Sequence, residues 1–186
     1  MTNSVARNGG SRSGRWRMLG WSAAAFVLLL PLVAMQFTDE VQWDVADFVV
    51  AGVMLLTAGA LFELAARKSR NSAYRAGVAV ALLAAFLLVW VNAAVGLIGS
   101  ENNDINMAYL GVLAVGFIGA VIARFKPHGM SLALLAMAIA QGLIALVSLV
   151  AGVAPAESGA FEIIIVNGLF IVLFVGSAVL FRNAAR

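Results

Sequence analysis

Six apolar runs, each long enough to cross a membrane as a helix, constrain this chain more than any other feature. A helix needs about 20 mostly apolar residues to span a hydrocarbon core of roughly 30 Å. Ala, Leu, Val and Gly fill these runs without the period of two that marks the strands of a membrane β-barrel. The pattern therefore predicts an all-α, polytopic membrane helical bundle. Its six predicted spans are about 16–37, 43–66, 74–98, 105–125, 130–153 and 159–181.

The composition indicates that lipid surrounds the chain. It is 63% hydrophobic and 11% charged, whereas soluble domains have roughly a quarter of charged residues. The chain has no cysteine, which excludes disulfides, thiolate metal sites and cysteine nucleophiles. The net charge of +3 comes without a nucleic-acid-binding motif. We therefore expect the lipid bilayer as the partner, and no nucleic acid.

The basic residues predict the orientation. All 12 Lys and Arg residues lie at four places: near the start of the first run, between the second and third runs, between the fourth and fifth runs, and after the sixth run. By the positive-inside rule these four places face the cytoplasm. Both termini are then cytoplasmic, and the loops around Asp39, Glu101 and Glu157 lie outside.

The N-terminal region leaves one alternative open. Residues 1–15 are rich in Gly, Ser, Asn and Arg, so we expect a disordered basic tail before a single transmembrane domain over 16–186. The first run also resembles a signal peptide with cleavage after Ala34. However, Leu32 occupies a position that needs a small residue, and the run is longer than usual. Cleavage would leave five helices in the same orientation.

The stretch GSENND, residues 99–104, is unusually polar for this chain and is predicted to be an outer hairpin loop. Asp104 is expected to cap the fourth helix. Acidic residues recur at the outer ends of the helices and basic residues at the inner ends, which complements the helix dipoles. Glu63 lies four residues before Arg67, a spacing that predicts an ion pair.

Polar residues within or beside the runs give the candidate ligand-binding site. Asn92 and Asn167 are expected roughly 10 Å below the outer surface at 1.5 Å per residue. Asp47 is expected close to that level and Glu162 somewhat nearer the surface, so the four side chains share one layer. Glu101 would lie at the mouth. Such side chains are costly toward lipid, so we expect them to face the bundle interior. If they converge, they form an outward-open pocket for a cation or a small polar solute.

A simpler interpretation needs no ligand. Asn92, Gln141 and Asn167 would only hydrogen-bond neighbouring helices, which contributes about 0.6 kcal/mol each on average. Close helix approach is also predicted at small residues, namely Gly52, Gly59, Gly111, Gly116 and Gly119. Homo-oligomerisation through these glycines is a further hypothesis.

Cofactors and catalytic residues are not predicted. The single histidine, His128, lies in a short basic turn, so two histidines cannot ligate a haem within one chain. Both lysines, Lys68 and Lys126, lie in inner loops. No phosphate-binding loop, G-x-S-x-G or HExxH motif occurs. An enzyme acting through Asp47, Glu101 or Glu162 is therefore the least favoured class.

Residues 91–130, VNAAVGLIGSENNDINMAYLGVLAVGFIGAVIARFKPHGM, resemble a family of small, uncharacterised six-helix proteins of the bacterial inner membrane. The resemblance covers the third and fourth helices and their loop, and it implies that location without implying an activity. The leading functional hypothesis is a membrane protein that binds or passes a small solute or ion from the outer face. The rival is a non-catalytic accessory or scaffold subunit of a larger membrane complex.

Overall fold

The computed structural model describes residues 10–38, 41–99, 103–152 and 160–186. Within these residues the chain forms six α-helices and one 3₁₀ helix, Asp104–Met107, which precedes the fourth α-helix. The predicted all-α class is confirmed. The α-helices are α1 (Gly10–Ala34), α2 (Val45–Lys68), α3 (Ser72–Ala94), α4 (Ala108–Ile122), α5 (Pro127–Val150) and α6 (Ala160–Ala184).

The helices have the length and composition of membrane spans. Among the described residues, five stretches are long and apolar enough to cross a bilayer: α2, α3, the 3₁₀ helix with α4, α5 and α6. The apolar part of α1 is shorter, Met18–Ala34. Large apolar side chains such as Phe117, Ile122 and Val172 are exposed over 73%, 77% and 68% of their surface. Apolar surface on this scale suits lipid, and together with the long apolar helices it indicates a multi-pass membrane protein.

The chain divides into two compact units, Met1–Leu61 and Phe62–Arg186. The first unit holds α1 and most of α2. The ring of Trp21 lies against Gly59, where a Cβ would come within 2.9 Å of the ring, so the glycine permits this contact. Ala51 is the single buried residue along α2. Helix α1 begins at Gly10, inside the predicted disordered tail, and residues 1–9 of that tail lie outside the described residues.

The second unit is built around α6, which packs against both α3 and α5, while α5 packs in turn against α4. At the α3–α6 contact the Ser177 hydroxyl donates to the Gly77 carbonyl over 2.7 Å. The rings of Tyr74 and Phe181 meet edge-on at 5.1 Å beside it. Large buried side chains from α3, α4 and α6 form the apolar core: Leu88, Tyr109, Phe170, Phe174 and Phe181.

Helix α3 ends at Ala94, four residues before the predicted end of the third span. The amides of Leu97 and Ile98 donate to Oδ1 of Asn106, over 3.1 and 3.0 Å, instead of extending the helix. Gly96, with φ of 75°, provides the left-handed turn that lets the backbone leave the helix. The α3–α4 connection therefore folds back onto the 3₁₀ helix.

The predicted cap at Asp104 is wrong by one residue. Asn103 is the N-cap of the 3₁₀ helix, and its Oδ1 accepts from the Ile105 amide over 3.2 Å. Asp104 is the first residue of that helix. The prediction failed because the extra 3₁₀ turn moves the start of the helical segment ahead of α4.

Candidate functional site

Asn167 on α6 is the centre of a buried hydrogen-bond cluster in the second unit. Its Oδ1 accepts from the Tyr109 hydroxyl on α4 and from Nε2 of Gln141 on α5, each over 2.9 Å. Its Nδ2 donates to the Ile163 carbonyl over 2.9 Å. Three helices are thereby joined through one amide, which is the interhelical bonding that the simpler interpretation predicts.

Gln141 leaves one polar atom of this cluster without a partner. The side chain is fully buried, and among the described residues its Oε1 has no hydrogen-bond donor. If Oε1 and Nε2 of Gln141 were exchanged, Oε1 would face Oδ1 of Asn167, and both atoms are acceptors. The orientation is therefore fixed, and a carbonyl oxygen remains available inside the helix bundle.

Asn92 on α3 supplies a second oxygen of the same kind. Its Nδ2 donates to the main-chain carbonyl of Asn106 over 3.3 Å, while its Oδ1 is buried and has no partner in the described part of the chain. Asn106 lies in the 3₁₀ helix, three residues before Tyr109 in the sequence. We call Asn92, Asn106, Tyr109, Gln141 and Asn167 the polar band.

Comparisons with known protein families, with curated proteins and with solved structures found no match to this chain. The band presents amide and phenol oxygens, and Tyr109 is its one titratable member. Such a site can accept hydrogen bonds or coordinate a cation through neutral oxygens, as carbonyl oxygens do in ion-selective pores.

The predicted site residues have different surroundings. Asn92 and Asn167 belong to the polar band. Glu162 is exposed in the first turn of α6 and has no hydrogen bond or ion pair within the described residues. Asp47 is exposed in the first unit, and Glu101 lies outside the described residues.

Asp47 has a local structural partner in Asp44. The Asp47 amide donates to Oδ1 of Asp44 over 3.0 Å, and the Asp44 amide donates to Oδ2 of Asp47 over 2.9 Å. This reciprocal pair is a capping box at the start of α2. It satisfies two amides that the helix itself leaves without acceptors.

Sequence reasoning missed both Asn106 and Tyr109 as members of this cluster. Asn106 is 3% exposed although it lies in a polar stretch that looks like a loop. One signal was available: it falls within the fourth predicted span, where an amide requires an internal partner. Tyr109 gives no comparable signal, because a tyrosine near a span end usually marks the membrane interface.

Proposed function

We propose that this membrane protein binds a small polar solute or a monovalent cation in the polar band, reached from the outer face of a bacterial inner membrane. The observation that carries this proposal is the pair of buried amide oxygens, on Asn92 and Gln141, for which the described part of the chain provides no donor. An unsatisfied buried acceptor costs about 1–3 kcal/mol. A ligand that donates to such oxygens offsets that cost.

The chemistry of the band favours particular ligands. Its free atoms are acceptors, so a neutral solute has to donate through N–H or O–H groups. None of its members is a carboxylate, whereas Ca²⁺ and Mg²⁺ sites use carboxylates, so divalent ions suit it poorly. Ammonium, small amines, ureas and K⁺ are the ligands that match.

The proposed orientation brings the outer face close to the band. The positive-inside rule applied to the 12 basic residues places both termini in the cytoplasm and the α3–α4 connection outside. Asn92 and Asn106 lie at or next to that connection. Glu162 lies in the first turn of α6. It is five residues before Asn167, which corresponds to about 7.5 Å along α6. Its carboxylate would favour cations near the mouth.

Ligand-dependent thermal stability tests the proposal. The full chain in lipid nanodiscs is heated with ammonium, methylammonium, K⁺, Na⁺ or urea at constant ionic strength, and unfolding is followed by Trp fluorescence. A ligand that binds only the folded state at 100 times its Kd stabilises it by about 2.7 kcal/mol. We expect at least one of these probes to raise Tm, and no shift with any of them would contradict the proposal.

Two substitutions on α5 make the test specific. Gln141→Leu removes the free oxygen and should abolish the shift. The matched control is Ser148→Ala, because Ser148 is also buried and donates to the Ile144 carbonyl of its own helix over 2.7 Å. A shift that survives Gln141→Leu would place the ligand elsewhere.

A second candidate function is that of a non-catalytic accessory or scaffold subunit. Helix α2 favours it, because 24 residues of strongly apolar helix contain one buried residue, Ala51. Without a hydrophobic driving force in lipid, helix association depends on close packing and hydrogen bonds. Small residues at the exposed surface of α2 would provide that packing to a partner helix.

Native mass spectrometry of the gently extracted assembly separates the two candidates. A second polypeptide at fixed stoichiometry supports the accessory role. The chain alone, or as a homo-oligomer, with the added mass of a small molecule supports binding in the polar band.

A further inference from the structure

The α2–α3 turn and the α4–α5 turn contact each other at the end of the second unit where its basic residues lie. Nζ of Lys68, at the end of α2, donates to the Arg124 carbonyl over 3.4 Å and lies 5.3 Å from the centre of the Phe125 ring. The Tyr74 hydroxyl donates to the Phe125 carbonyl over 3.0 Å. The α2–α3 and α4–α5 turns are therefore held together by side chains that bind backbone carbonyls.

The α4–α5 turn has a strained backbone that these bonds keep in place. Arg124 and Phe125 have φ angles of 49° and 58°, in the left-handed region that non-glycine residues rarely adopt. Their carbonyls accept from Lys68 and Tyr74, while the Arg124 side chain itself is exposed. The turn thus fixes the direction in which the Arg124 side chain leaves the backbone.

Arg75 is held beside the same turns by backbone carbonyls, and no carboxylate among the described residues pairs with it. Its Nε donates to the Ser69 carbonyl over 2.8 Å, and its Nη2 to the Ala66 carbonyl over 2.5 Å. A guanidinium has five N–H donors, so three remain for another partner. Both partners are neutral, and the positive charge of this half-buried side chain is therefore not compensated by them.

Positive charge dominates this end of the unit. The one carboxylate side chain described here, Glu63, forms an ion pair with Arg67 over 2.6 Å, as the sequence predicted. The cations outnumber it seven to one within the described turns and the end of α6. They are Arg67, Lys68, Arg70, Arg75, Arg124, Lys126 and Arg182.

We propose that the α2–α3 and α4–α5 turns form a binding site for the headgroup of an anionic phospholipid. The lipid phosphate accepts from the free N–H groups of Arg75, because two backbone carbonyls already orient that guanidinium. Arg124 and Lys126 add attraction from the exposed α4–α5 turn. Basic clusters at the membrane surface are where anionic headgroups bind, and a planar guanidinium matches the geometry of a phosphate.

Lipid retention in native mass spectrometry tests this site on the full chain. The protein is released from nanodiscs of phosphatidylcholine that contain phosphatidylglycerol, and the lipids that remain bound are counted. We expect phosphatidylglycerol to be retained in preference. Arg124→Gln should weaken that retention about fivefold, the effect of one cation near an anionic surface. Arg75→Lys should also weaken retention: it keeps the positive charge but loses the planar set of N–H donors of the guanidinium.

A matched control distinguishes a site from overall charge. Arg12→Gln changes the net charge equally but lies in the first unit. Equal retention of both lipids, or equal loss in Arg12→Gln and Arg124→Gln, would overturn the proposal. Inorganic phosphate at matched ionic strength is the competitor. If it displaces phosphatidylglycerol, the site takes a soluble anion, which also overturns the lipid assignment.

Discussion

Tyr109 on α4 donates its hydroxyl hydrogen to Oδ1 of Asn167 on α6 over 2.9 Å, although the two residues are 58 positions apart in the sequence. The same oxygen accepts from Gln141 on α5. In a lipid surrounding, where apolar contacts alone do not select helix partners, such a bond helps to fix which helices meet and at what depth. The bond from Nε2 of Gln141 to the same Asn167 oxygen orients the Gln141 amide and so determines where its free Oε1 lies.

The two donors of this cluster should respond unequally to substitution. Tyr109→Phe removes one donor and leaves the Gln141–Asn167 bond, so we expect a loss of about 0.6–1 kcal/mol. Asn167→Leu leaves both buried donors without an acceptor and should cost about 1–3 kcal/mol. In the double variant the Tyr109→Phe step should cost less, because the hydroxyl has already lost its acceptor. Denaturant titration in mixed micelles measures all three, and strict additivity would contradict the shared acceptor.

Asn106 should control the order of the α3–α4 connection. Asn106→Leu removes the acceptor for the amides of Leu97 and Ile98, and hydrogen exchange at those amides should accelerate strongly. Asn106→Asp keeps that acceptor and should retain most of the protection. The control is Asn103→Ala, which removes one bond to Ile105 only. Unchanged exchange at residues 97 and 98 in Asn106→Leu would show that other contacts hold the connection.

Sequence reasoning predicted the helices well, because the apolar run length that lipid requires can be counted directly. It also predicted the Glu63–Arg67 pair, which depends on a four-residue spacing within one helix. It did not predict that α3 stops at Ala94, because a side chain beyond the turn takes the amides of Leu97 and Ile98. The association of Tyr109 with Asn167 is likewise a property of how α4 and α6 pack, and neither position reveals it alone.

Alanine substitutions at Gly111 and Gly119 of α4 should have different effects on stability, although the sequence predicts close helix approach at both. A Cβ at Gly119 would lie 2.6 Å from Cβ of Ala133 and 3.3 Å from its Cα, so Gly119→Ala has to push α4 and α5 apart. A Cβ at Gly111 would meet no described atom within 4 Å. We expect Gly119→Ala to lower stability by about 1–3 kcal/mol. Gly111→Ala should be neutral or stabilising by up to about 1 kcal/mol. Similar losses in thermal unfolding of both variants would contradict the close α4–α5 contact.

The proposed orientation can be tested cleanly because the chain contains no cysteine. Gln42→Cys and Val95→Cys lie in connections proposed to face outside, and Ser72→Cys and His128→Cys lie at the proposed cytoplasmic end. A membrane-impermeant maleimide should label the first pair in intact cells and the second pair only after permeabilisation. Labelling in the reverse order would invert the orientation, and with it the outer access proposed for the polar band.

Asp47 should act mainly through the capping box at the start of α2. Asp44 supplies the cap, so Asp44→Ala should lower stability by about 1 kcal/mol. Asp47 occupies the third helical position, where glutamine or glutamate usually completes such a box. Asp47→Gln should therefore keep the bond to the Asp44 amide and lose only the favourable charge at the helix N-terminus, about 0.3–1 kcal/mol. Asp47→Ala loses both and should be the more destabilised of the two. If thermal unfolding instead shows Asp47→Gln and Asp47→Ala equally destabilised, the carboxylate charge, rather than its hydrogen bond, is what the helix start requires.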